Sequence, residues 1–233
     1  MNSFVNHLGL FAKFWEPGRV KTRLAATLGN QQACELYQVF LFHLLESVVS
    51  VTERTTVVFS PPEQQADFRA AISADWSLEP QTDGDLGDRM KNFFSQRLPD
   101  AGSETAQATK VIAIGADCPQ LPAEEIQTAF DLLNENDVVI GPSTDGGYYL
   151  LGMKGSLVEV FDDIAWSTPE VLPQTIQRLD QQNKTYALLR ERIDVDDQND
   201  LQQMLAGLAP TDNVPQSNQS LAEKVSAVLS KGP

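Results

Sequence analysis

The feature that most constrains the fold is a short apolar run, rich in small and β-branched residues, that ends in a carboxylate. Residues 111–116 read V-I-A-I-G-A, and Asp117-Cys118-Pro119 follow directly. A run of this length between polar segments is typical of a strand that is buried on both faces of a parallel sheet. Because such a strand needs helices on both sides, the run predicts an α/β fold.

The rest of the chain alternates predicted strands with predicted helices. Further strands are predicted at residues 8–12, 55–59, 137–141, 148–153 and 186–195. Helices are predicted at residues 30–49, around 86–94, after Pro119, at 167 to about 179, and around 201–205. The S-T-P-E sequence at residues 167–170 predicts a capping box for the fourth of these helices, and Asp196-Asp197 are predicted to cap the last. The alternation predicts a single-domain, three-layer α/β/α architecture with a mostly parallel, mixed sheet.

This domain is expected to span residues 1–206. Residues 207–220 are rich in Pro, Asn, Gln and Ser and predict a polar linker. The amphipathic stretch 221–229 follows, so residues 207–233 form a linker and a short C-terminal helix or tail. Whether that helix packs on the domain or on a partner, or frays, stays open.

Charge and cysteine content exclude several classes of function. Seventeen Lys and Arg residues stand against 32 Asp and Glu, a formal net charge of −15, so binding to nucleic acid or to an anionic membrane is not expected. Cys34 and Cys118 are the only cysteines and predict reduced thiols. No apolar run approaches the roughly 18 residues of a membrane span, and the N-terminus lacks the charged start of a secretory signal. We therefore expect a cytoplasmic protein without a membrane span.

One loop departs from this overall acidity. Residues 17–24 read P-G-R-V-K-T-R-L and place Arg19, Lys21 and Arg23 within five residues, after Gly18. Lys supplies a point charge and Arg a bidentate fork for phosphate groups, while Gly18 permits close approach of the backbone. The loop is not a P-loop, since G-x-x-x-x-G-K-[ST] is absent. From spacing alone, a polyphosphate site and three solvated cations beside a helix start both remain open.

Carboxylates follow two of the predicted strands. Ligands of open α/β sheets bind beyond the carboxyl ends of the strands, so Asp117 is either a ligand for a Mg²⁺ ion that bridges phosphates or the cap of the next helix. In D-V-D-D at residues 194–197, strand alternation places Asp194 and Asp196 on one side. These residues are either a second carboxylate for the metal or a solvated helix cap.

The sequence S-T-D-G-G-Y at residues 143–148 connects two predicted strands. Its two glycines are compatible with a simple hairpin or bulge turn. They also permit a flat sugar or base to approach the main chain, where Asp145 is available to bind hydroxyl groups. Both interpretations remain open at this point.

Taken together, these motifs resemble a known family. F-A-K-x-x-x-P-G-x-V-K-T-R-L at residues 11–24 is followed by G-A-D-C-P-x-L, D-G-G-Y-Y-L-L-G and D-V-D-x-x-x-D-L in the same order. The set resembles the rSAM/selenodomain-associated transferase 1 family, a group of GT-A-like proteins of the nucleotide-diphospho-sugar transferase superfamily. The K-T-R-L element is also similar to 2-phospho-L-lactate guanylyltransferases and, more distantly, to molybdenum-cofactor guanylyltransferases.

The resemblance implies a role for each matching position. Lys21 and Asp117 would be catalytic, with Asp117 and Asp196 as ligands of Mg²⁺ (or Mn²⁺). The nucleotide phosphates would be held by Gly18, Arg19, Lys21 and Arg23. The substrate side would be lined by Asp145, Gly146, Gly147 and Tyr148. The implied partners are a nucleotide or nucleotide sugar and a small-molecule acceptor.

Two departures from the family pattern affect this interpretation. Trp15 and Glu16 stand where the family commonly has a proline-containing stretch, which predicts an altered pocket rim. The central strand ends in Asp117 alone rather than in the D-x-D of GT-A glycosyltransferases, which favours nucleotidyl transfer. We therefore expect a Mg²⁺-dependent nucleotidyltransferase acting on a small phosphorylated or hydroxylated acceptor. Glycosyl transfer from a nucleotide sugar and a catalytically silent nucleotide-binding protein remain alternatives.

Overall fold

A computed structural model describes residues 4–98, 109–208 and 216–231 and centres on a seven-stranded sheet. The strands are β1 (Val5–Lys13), β2 (Arg54–Ser60), β3 (Ser77–Pro80), β4 (Thr109–Gly115), β5 (Val138–Pro142), β6 (Tyr148–Lys154) and β7 (Tyr186–Leu188). Their order in the sheet is β3-β2-β1-β4-β6-β5-β7. Strand β6 runs antiparallel to β4 and β5, and the other neighbours are parallel. The predicted α/β class with a mostly parallel, mixed sheet is confirmed.

Helices cover both faces of this sheet. They are α1 (Thr22–Leu28), α2 (Asn30–Val48), α3 (Gln65–Ala71), α4 (Leu86–Ser95), α5 (Ala123–Leu132), α6 (Val171–Gln181), α7 (Gln198–Gly207) and α8 (Gln216–Leu229). One face packs against α2, α3 and α5, and the other against α4 and α6. The three-layer arrangement leaves the carboxyl ends of β1 and β4 side by side at one edge.

Alternation along the central strands explains how both faces are filled. Leu8 and Leu10 of β1 lie in the cluster formed with α2, and Phe11 packs against the opposite cluster. Between them, Gly9 lies beneath Phe93 of α4, whose ring would be 2.2 Å from an added Cβ. The missing side chain at Gly9 therefore lets α4 pack directly onto the sheet.

Among the described residues, two α-helices and one strand were not predicted from the sequence. Helix α1 overlaps the end of the loop predicted at residues 17–24 and precedes the helix predicted at residues 30–49. Gly29 separates α1 from α2 because its φ of 80° and ψ of 158° interrupt the helical path. Helix α3 and the edge strand β3 were also missed. Both are short, seven and four residues long, and β3 buries none of its residues fully, so neither has a strong periodic pattern.

The strand predicted over residues 186–195 is wrong in length, because β7 ends at Leu188. Its neighbour β5 ends in Pro142, which has no N–H to donate to a ladder. Beyond Leu188 the ladder gives way to single contacts: the N–H of Leu189 donates to the carbonyl of Ile140 at 2.8 Å, and an isolated bridge joins Arg192 to Ser143. Asp194 and Asp196 therefore lie in an irregular segment, and strand alternation does not set their directions.

The capping box predicted for S-T-P-E at residues 167–170 is also wrong. Helix α6 begins at Val171, and its first residues receive no side-chain cap. The hydroxyl of Thr168 instead donates to the carbonyl of Ala165 at 2.7 Å and accepts from the backbone N–H of Glu170. The segment forms a local turn ahead of the helix, with Ser167 at a φ of 63°.

The C-terminal helix α8 packs on the domain. Leu221, Val225 and Val228 are buried in a cluster with α1, α2 and α7. The sequence left open whether this helix packs on the domain, and the structure shows that it does. The predicted cap of α7 is confirmed, since the carboxylate of Asp197 accepts from the backbone N–H groups of Asn199 and Asp200.

Two further expectations concern the thiols and the membrane. Cys34 and Cys118 are both buried free thiols, as predicted, and burial raises the pKa of each. Across the described ranges, no helix has the length and apolar character needed to cross a membrane.

Candidate active site

A cavity of about 1360 Å³ opens at the sheet edge where β1 and β4 end. Its floor includes Ile114 and Gly115 of β4 and Ala12 of β1, and its walls come from the loops that follow these strands. This is the edge at which open α/β sheets bind ligands. Eight of the predicted site residues line this cavity: Arg19, Lys21, Arg23, Asp117, Asp145, Gly147, Tyr148 and Asp196.

Lys21 is the central residue of this site. It precedes α1 in the left-handed backbone region, with φ 47° and ψ 46°, a conformation that costs a residue other than glycine about 1–2 kcal/mol. Its side chain is only 3% exposed. The ammonium forms ion pairs with Asp117 and, at 3.3 Å, with Oδ1 of Asp196. A strained backbone and a buried cation at a cavity wall are typical of a functional position.

The electrostatic environment keeps the Lys21 side chain charged. Burial alone would lower the pKa of Lys21, but the adjacent carboxylates of Asp117 and Asp196 outweigh it, so the pKa is raised. Asp117 and Asp196 are 46% and 41% exposed and therefore open to the cavity. Arg23 adds a weaker contact, 3.4 Å from Oδ2 of Asp196, and is 74% exposed.

Backbone hydrogen bonds hold the segment at residues 192–196 against the ends of β4 and β5. The N–H of Val195 donates to the carbonyl of Asp117 at 2.9 Å, and the N–H of Arg192 donates to the carbonyl of Pro142 at 3.0 Å. The N–H of Thr144 in turn donates to the carbonyl of Arg192. These bonds bring Asp194 and Asp196 beside Asp117 although the segment is not a strand.

Asp194 has a strongly altered acidity. Burial, followed by repulsion from the carboxylates of Asp117 and Asp145, raises its pKa to about 8, while Lys21 acts in the opposite direction. The effect shows that several negative charges meet at this end of the cavity. D-V-D was recognised in the sequence, but the burial of its first carboxylate was not.

A buried cluster behind this segment was missed by sequence reasoning. Arg192 forms an ion pair with Glu125 of α5, and each side chain is 14% exposed. The hydroxyl of Tyr149 also donates to Glu125, and the Gln120 amide donates to the carbonyl of Ile193 at 2.8 Å. The sequence signal is only an Arg in R-E-R-I-D, which does not distinguish a buried ion pair from a surface charge.

The S-T-D-G-G-Y loop contributes unequally to the cavity. Oδ1 of Asp145 accepts from the hydroxyl of Ser143 and, at 3.0 Å, from the N–H of Gly147. Gly146 does not line the cavity; it has a φ of 90°, and an added Cβ there would lie 2.4 Å from the carbonyl oxygen of Pro169. Its absent side chain thus allows close packing of two backbones.

Gly18 and Trp15, which the sequence predicted to contribute to the site, both lie outside the cavity wall. Gly18, with a φ of 81°, shapes the turn before Lys21 and is not part of the cavity wall. Trp15 does not form the rim either. Its ring packs inward, with centroids 5.1 Å from those of Phe42 and Phe68, and so anchors the cation loop to the core.

The exposed carboxylates of Asp117 and Asp196 are the candidate ligands for a divalent cation. Asp117 and Asp196 both contact the ammonium of Lys21, so their carboxylates lie close together, and both remain partly exposed. Within the described ranges no group of three or more His, Cys, Asp or Glu side chains is arranged to hold a metal. Mg²⁺ commonly binds through one or two carboxylates together with substrate phosphates and water. The pair therefore fits a cation that arrives with a nucleotide.

Residues 44–168, more than half of the chain, match the family described as uncharacterized protein conserved in bacteria (DUF2064). The chain belongs to this family. The matched region includes Asp117 and the S-T-D-G-G-Y loop, whereas Lys21 and Asp196 lie outside it.

A curated relative is the 3-phospho-D-glycerate guanylyltransferase of Phenylobacterium zucineum (strain HLK1). It is 27% identical over 141 residues, which are 59% of this chain and 62% of the relative. The match thus spans less than two thirds of that protein's length.

Solved structures with the same fold identify the architecture. A Desulfovibrio desulfuricans G20 protein that carries the provisional name nucleotide-diphospho-sugar transferase has a TM-score of 0.84 and 27% identity, over 98% of both chains. A cytidylyltransferase from Leptospira borgpetersenii serovar Hardjo-bovis (strain JB197) has a TM-score of 0.56 and 12% identity, over 98% of this chain and 96% of that one. The chain has the GT-A-like nucleotide-diphospho-sugar transferase fold, and the comparisons point to a transferase.

Proposed function

We propose that this protein is a Mg²⁺-dependent nucleotidyltransferase that transfers a nucleoside monophosphate from a nucleoside triphosphate to a small phosphorylated or hydroxylated acceptor. The observation that carries the proposal is the buried ammonium of Lys21, which is held between Asp117 and Asp196 at the carboxyl ends of the strands. The similarity to a guanylyltransferase supports it. Membership of the rSAM/selenodomain-associated transferase 1 group, which the motifs indicate, is part of the same proposal.

The cation loop suits the phosphates of the donor. Arg19 and Arg23 are exposed at the cavity, and Lys21 lies beneath them. Lys21 and the two arginines would neutralise the negative charge that the triphosphate brings and that develops on the departing pyrophosphate. The surrounding loops would hold the acceptor in line with the α-phosphorus, since phosphoryl-type transfers depend mainly on positioning and charge.

Asp117 and Asp196 are the residues that would hold the divalent cation. When bound, Mg²⁺ (or Mn²⁺) supplies charge neutralisation at the phosphates. The carboxylates also orient Lys21, which contacts both of them. Lys21 and the metal-binding carboxylates therefore act as one unit, and loss of any member should affect the others.

Two alternatives use the same fold. A glycosyltransferase would release a nucleoside diphosphate from a nucleotide sugar, and a silent nucleotide-binding protein would release nothing. The single Asp117 at the end of the central strand, without a D-x-D, favours nucleotidyl transfer. The buried, strained Lys21 argues against a silent site, because such a conformation has a cost and would be easily lost in a site without function.

The reaction products distinguish these alternatives. The protein is incubated with Mg²⁺ and each common nucleoside triphosphate or nucleotide sugar, with a panel of phosphorylated and hydroxylated acceptors, and pyrophosphate and nucleoside diphosphate are measured in parallel. We expect acceptor-dependent release of pyrophosphate, absent in Lys21→Met. Release of nucleoside diphosphate from a nucleotide sugar instead would favour the glycosyltransferase.

A further inference from the structure

Arg89 is a cation at the cavity that the proposed mechanism does not use. It lies near the start of α4 and lines the cavity, where its side chain is half-buried. Among the described residues, no carboxylate forms an ion pair with it. In a chain with a formal net charge of −15, this arginine therefore stands out as a group that a substrate can pair with.

Neutral acceptors hold the Arg89 guanidinium in place in the absence of any substrate. Its Nε donates to the carbonyl of Gly84 at 3.1 Å, and its Nη1 donates to Oε1 of Gln81 at 3.2 Å. The Gln81 amide is itself fixed, because its Nε2 donates to the carbonyls of Val58 and Ala12 at 2.9 and 3.3 Å. The guanidinium is thus anchored to the carboxyl ends of β1 and β2 and is preorganised.

These bonds leave part of the guanidinium unused. An arginine side chain has five N–H donors, and Nη2 of Arg89 donates to no described residue. Arg69 provides a contrast, because its Nη1 and Nη2 donate to three main-chain carbonyls and it does not line the described cavity. The remaining N–H groups of Arg89 are available to a ligand that offers hydrogen-bond acceptors.

Apolar side chains border Arg89 at the cavity. Leu86 and Met90 of the same helix also line the cavity, and residues three and four positions apart share one face of a helix. Leu86 is 44% exposed, and the ring of Trp166 lies beside it against Gly87, where an added Cβ would be 2.3 Å from Nε1 of the indole. Apolar walls around one directed polar group are typical of sites for small organic ligands.

Arg89 reaches the cavity from a different element than the cation loop does. The cation loop at residues 17–24 leads through α1 into α2, and α2 covers the face of the sheet opposite α4. Under the proposed function, Arg19, Lys21 and Arg23 of this loop already supply three cations for the donor triphosphate. Arg89 is therefore left to bind another part of the substrates.

We infer that Arg89 is a specificity-determining residue, and that it binds two adjacent hydrogen-bond acceptors of a substrate outside the donor triphosphate. The planar fork of an arginine matches a carboxylate or phosphate and equally the O6 and N7 atoms of guanine. The acceptor pair belongs either to the base of the donor or to an anionic group of the acceptor molecule. The inference rests on the proposed function and extends it to the recognition of the substrates.

The first arm of the test asks whether this pair of atoms is on the base. Wild type, Arg89→Met and Arg54→Met are titrated calorimetrically with ATP, GTP, CTP and UTP in the presence of Mg²⁺. Guanine and cytosine carry two adjacent acceptors and adenine and uracil do not, so wild type should then prefer GTP or CTP. Arg89→Met should bind the preferred nucleotide at least about tenfold more weakly and the others as before. Arg54, exposed at the start of β2, is the matched control.

The second arm asks whether the pair is on the acceptor molecule. The same proteins are saturated with Mg²⁺ and a non-hydrolysable analogue of the triphosphate that binds best. They are then titrated with D-glycerate, sn-glycerol 3-phosphate and 3-phospho-D-glycerate, which carry a carboxylate, a phosphate and both groups. Arg89→Met should weaken the binding of the preferred compound at least about tenfold and leave nucleotide affinity unchanged. Arg89→Lys keeps the charge but not the fork, so it should not restore the lost affinity in either arm.

We expect the loss in one of these two arms, with thermal unfolding of the unliganded variants close to wild type because Arg89 is partly exposed. An equal loss of affinity for all four triphosphates would assign Arg89 to the phosphates of the donor and overturn the inference. Unchanged affinities in both arms would also overturn it. Failure of every triphosphate to bind the wild type would instead contradict the proposed function.

Discussion

Lys21 and Asp117 form an ion pair across the carboxyl ends of two neighbouring parallel strands. Lys21 follows β1 and Asp117 follows β4, and the lysine side chain is almost completely buried while the aspartate is open to the cavity. A buried ammonium beneath exposed carboxylates holds positive charge at the floor of a site that faces solvent. The proposed transfer chemistry depends on this relationship.

Lys21→Met tests whether the ammonium acts on the reaction. Loss of a group that stabilises developing charge costs about 3–4 kcal/mol, so kcat should fall by about 10²–10³. Folding should be retained because Asp117 and Asp196 are partly exposed and remain solvated. The assay is pyrophosphate release with thermal unfolding in parallel, and Lys224→Met, remote on α8, is the control. Turnover close to wild type would refute the role.

Asp117→Asn and Asp196→Asn test the metal-binding pair. Replacing a charged ligand by an amide should raise the Mn²⁺ dissociation constant of the nucleotide-loaded protein by at least about tenfold, since even indirect supports of metal ligands are worth that much. Electron paramagnetic resonance of Mn²⁺ measures this without turnover. Asp197→Asn is the matched control, because it lies beside Asp196 and Asn is an equally good helix cap. If Asp117→Asn and Asp196→Asn bind Mn²⁺ as tightly as the wild type and Asp197→Asn do, the two carboxylates are not metal ligands.

Glu125→Gln tests the buried cluster behind the site. It leaves the guanidinium of Arg192 without its charged partner at a position 14% exposed, and breaking a buried pair typically costs about 3–5 kcal/mol. We expect the free energy of unfolding, from urea titration, to fall by about 3 kcal/mol. The double variant Glu125→Met with Arg192→Met should regain much of this loss, because no unpaired charge remains. A single variant as stable as wild type would show that the pair is unimportant.

His7 should make stability depend on pH. Burial, and then the charge of Arg97, lower its pKa to about 4 from 6.5, and the Nε of Arg97 donates to its Nε2 at 3.2 Å. The unfolded state therefore takes up a proton at a higher pH than the folded state does. The contribution of neutral His7 to the free energy of unfolding is fully present above pH 6.5 and is lost as the pH falls toward 4. The loss over this interval should be about 2 kcal/mol after allowance for solvent.

The measurement for His7 is a comparison of two unfolding curves. Wild type and His7→Gln are titrated with urea at pH 7 and at lower pH, and the difference between their stabilities is followed. The difference should narrow or reverse as pH falls below 6.5. Parallel curves would show that His7 does not titrate in this way.

Leu221→Ala tests the docking of the C-terminal helix. Leu221 is fully buried in the cluster with α1, α2 and α7, and truncation of a buried leucine costs about 2–5 kcal/mol. Thermal unfolding should shift down accordingly, while Glu223→Ala, exposed on the same helix, should change little. If both variants unfold at the same temperature as the wild type, α8 is not part of the cooperative folding unit.

Strongly apolar or strongly periodic elements were predictable from the sequence. The run at 111–116 forms β4, and the helical spacing from Asn30 to Val49 forms α2, which ends at Val48. Such patterns indicate which residues are buried, and the burial of those residues stabilises these two elements. By contrast, β3 is a four-residue edge strand, and its pairing comes from a neighbour in space rather than from its own pattern.

The candidate site was predictable in its residue types but not in its geometry. Glycine, cation and carboxylate motifs brought Lys21, Asp117 and Asp196 to attention as separate segments. Their convergence depends on the backbone bond from Val195 to Asp117 and on the ion pair of Arg192 with Glu125. Both are long-range contacts, which local sequence does not encode.

The most direct test of the central proposal is nucleotide binding by wild type and Lys21→Met, measured as a thermal shift with each of ATP, GTP, CTP and UTP, with and without Mg²⁺. Saturation at about 100 times the dissociation constant adds about 2.7 kcal/mol of stability, which is readily detected. The proposal predicts a Mg²⁺-dependent shift with at least one triphosphate in the wild type and a much smaller one in Lys21→Met. No shift with any triphosphate, or an equal shift in both proteins, would contradict it.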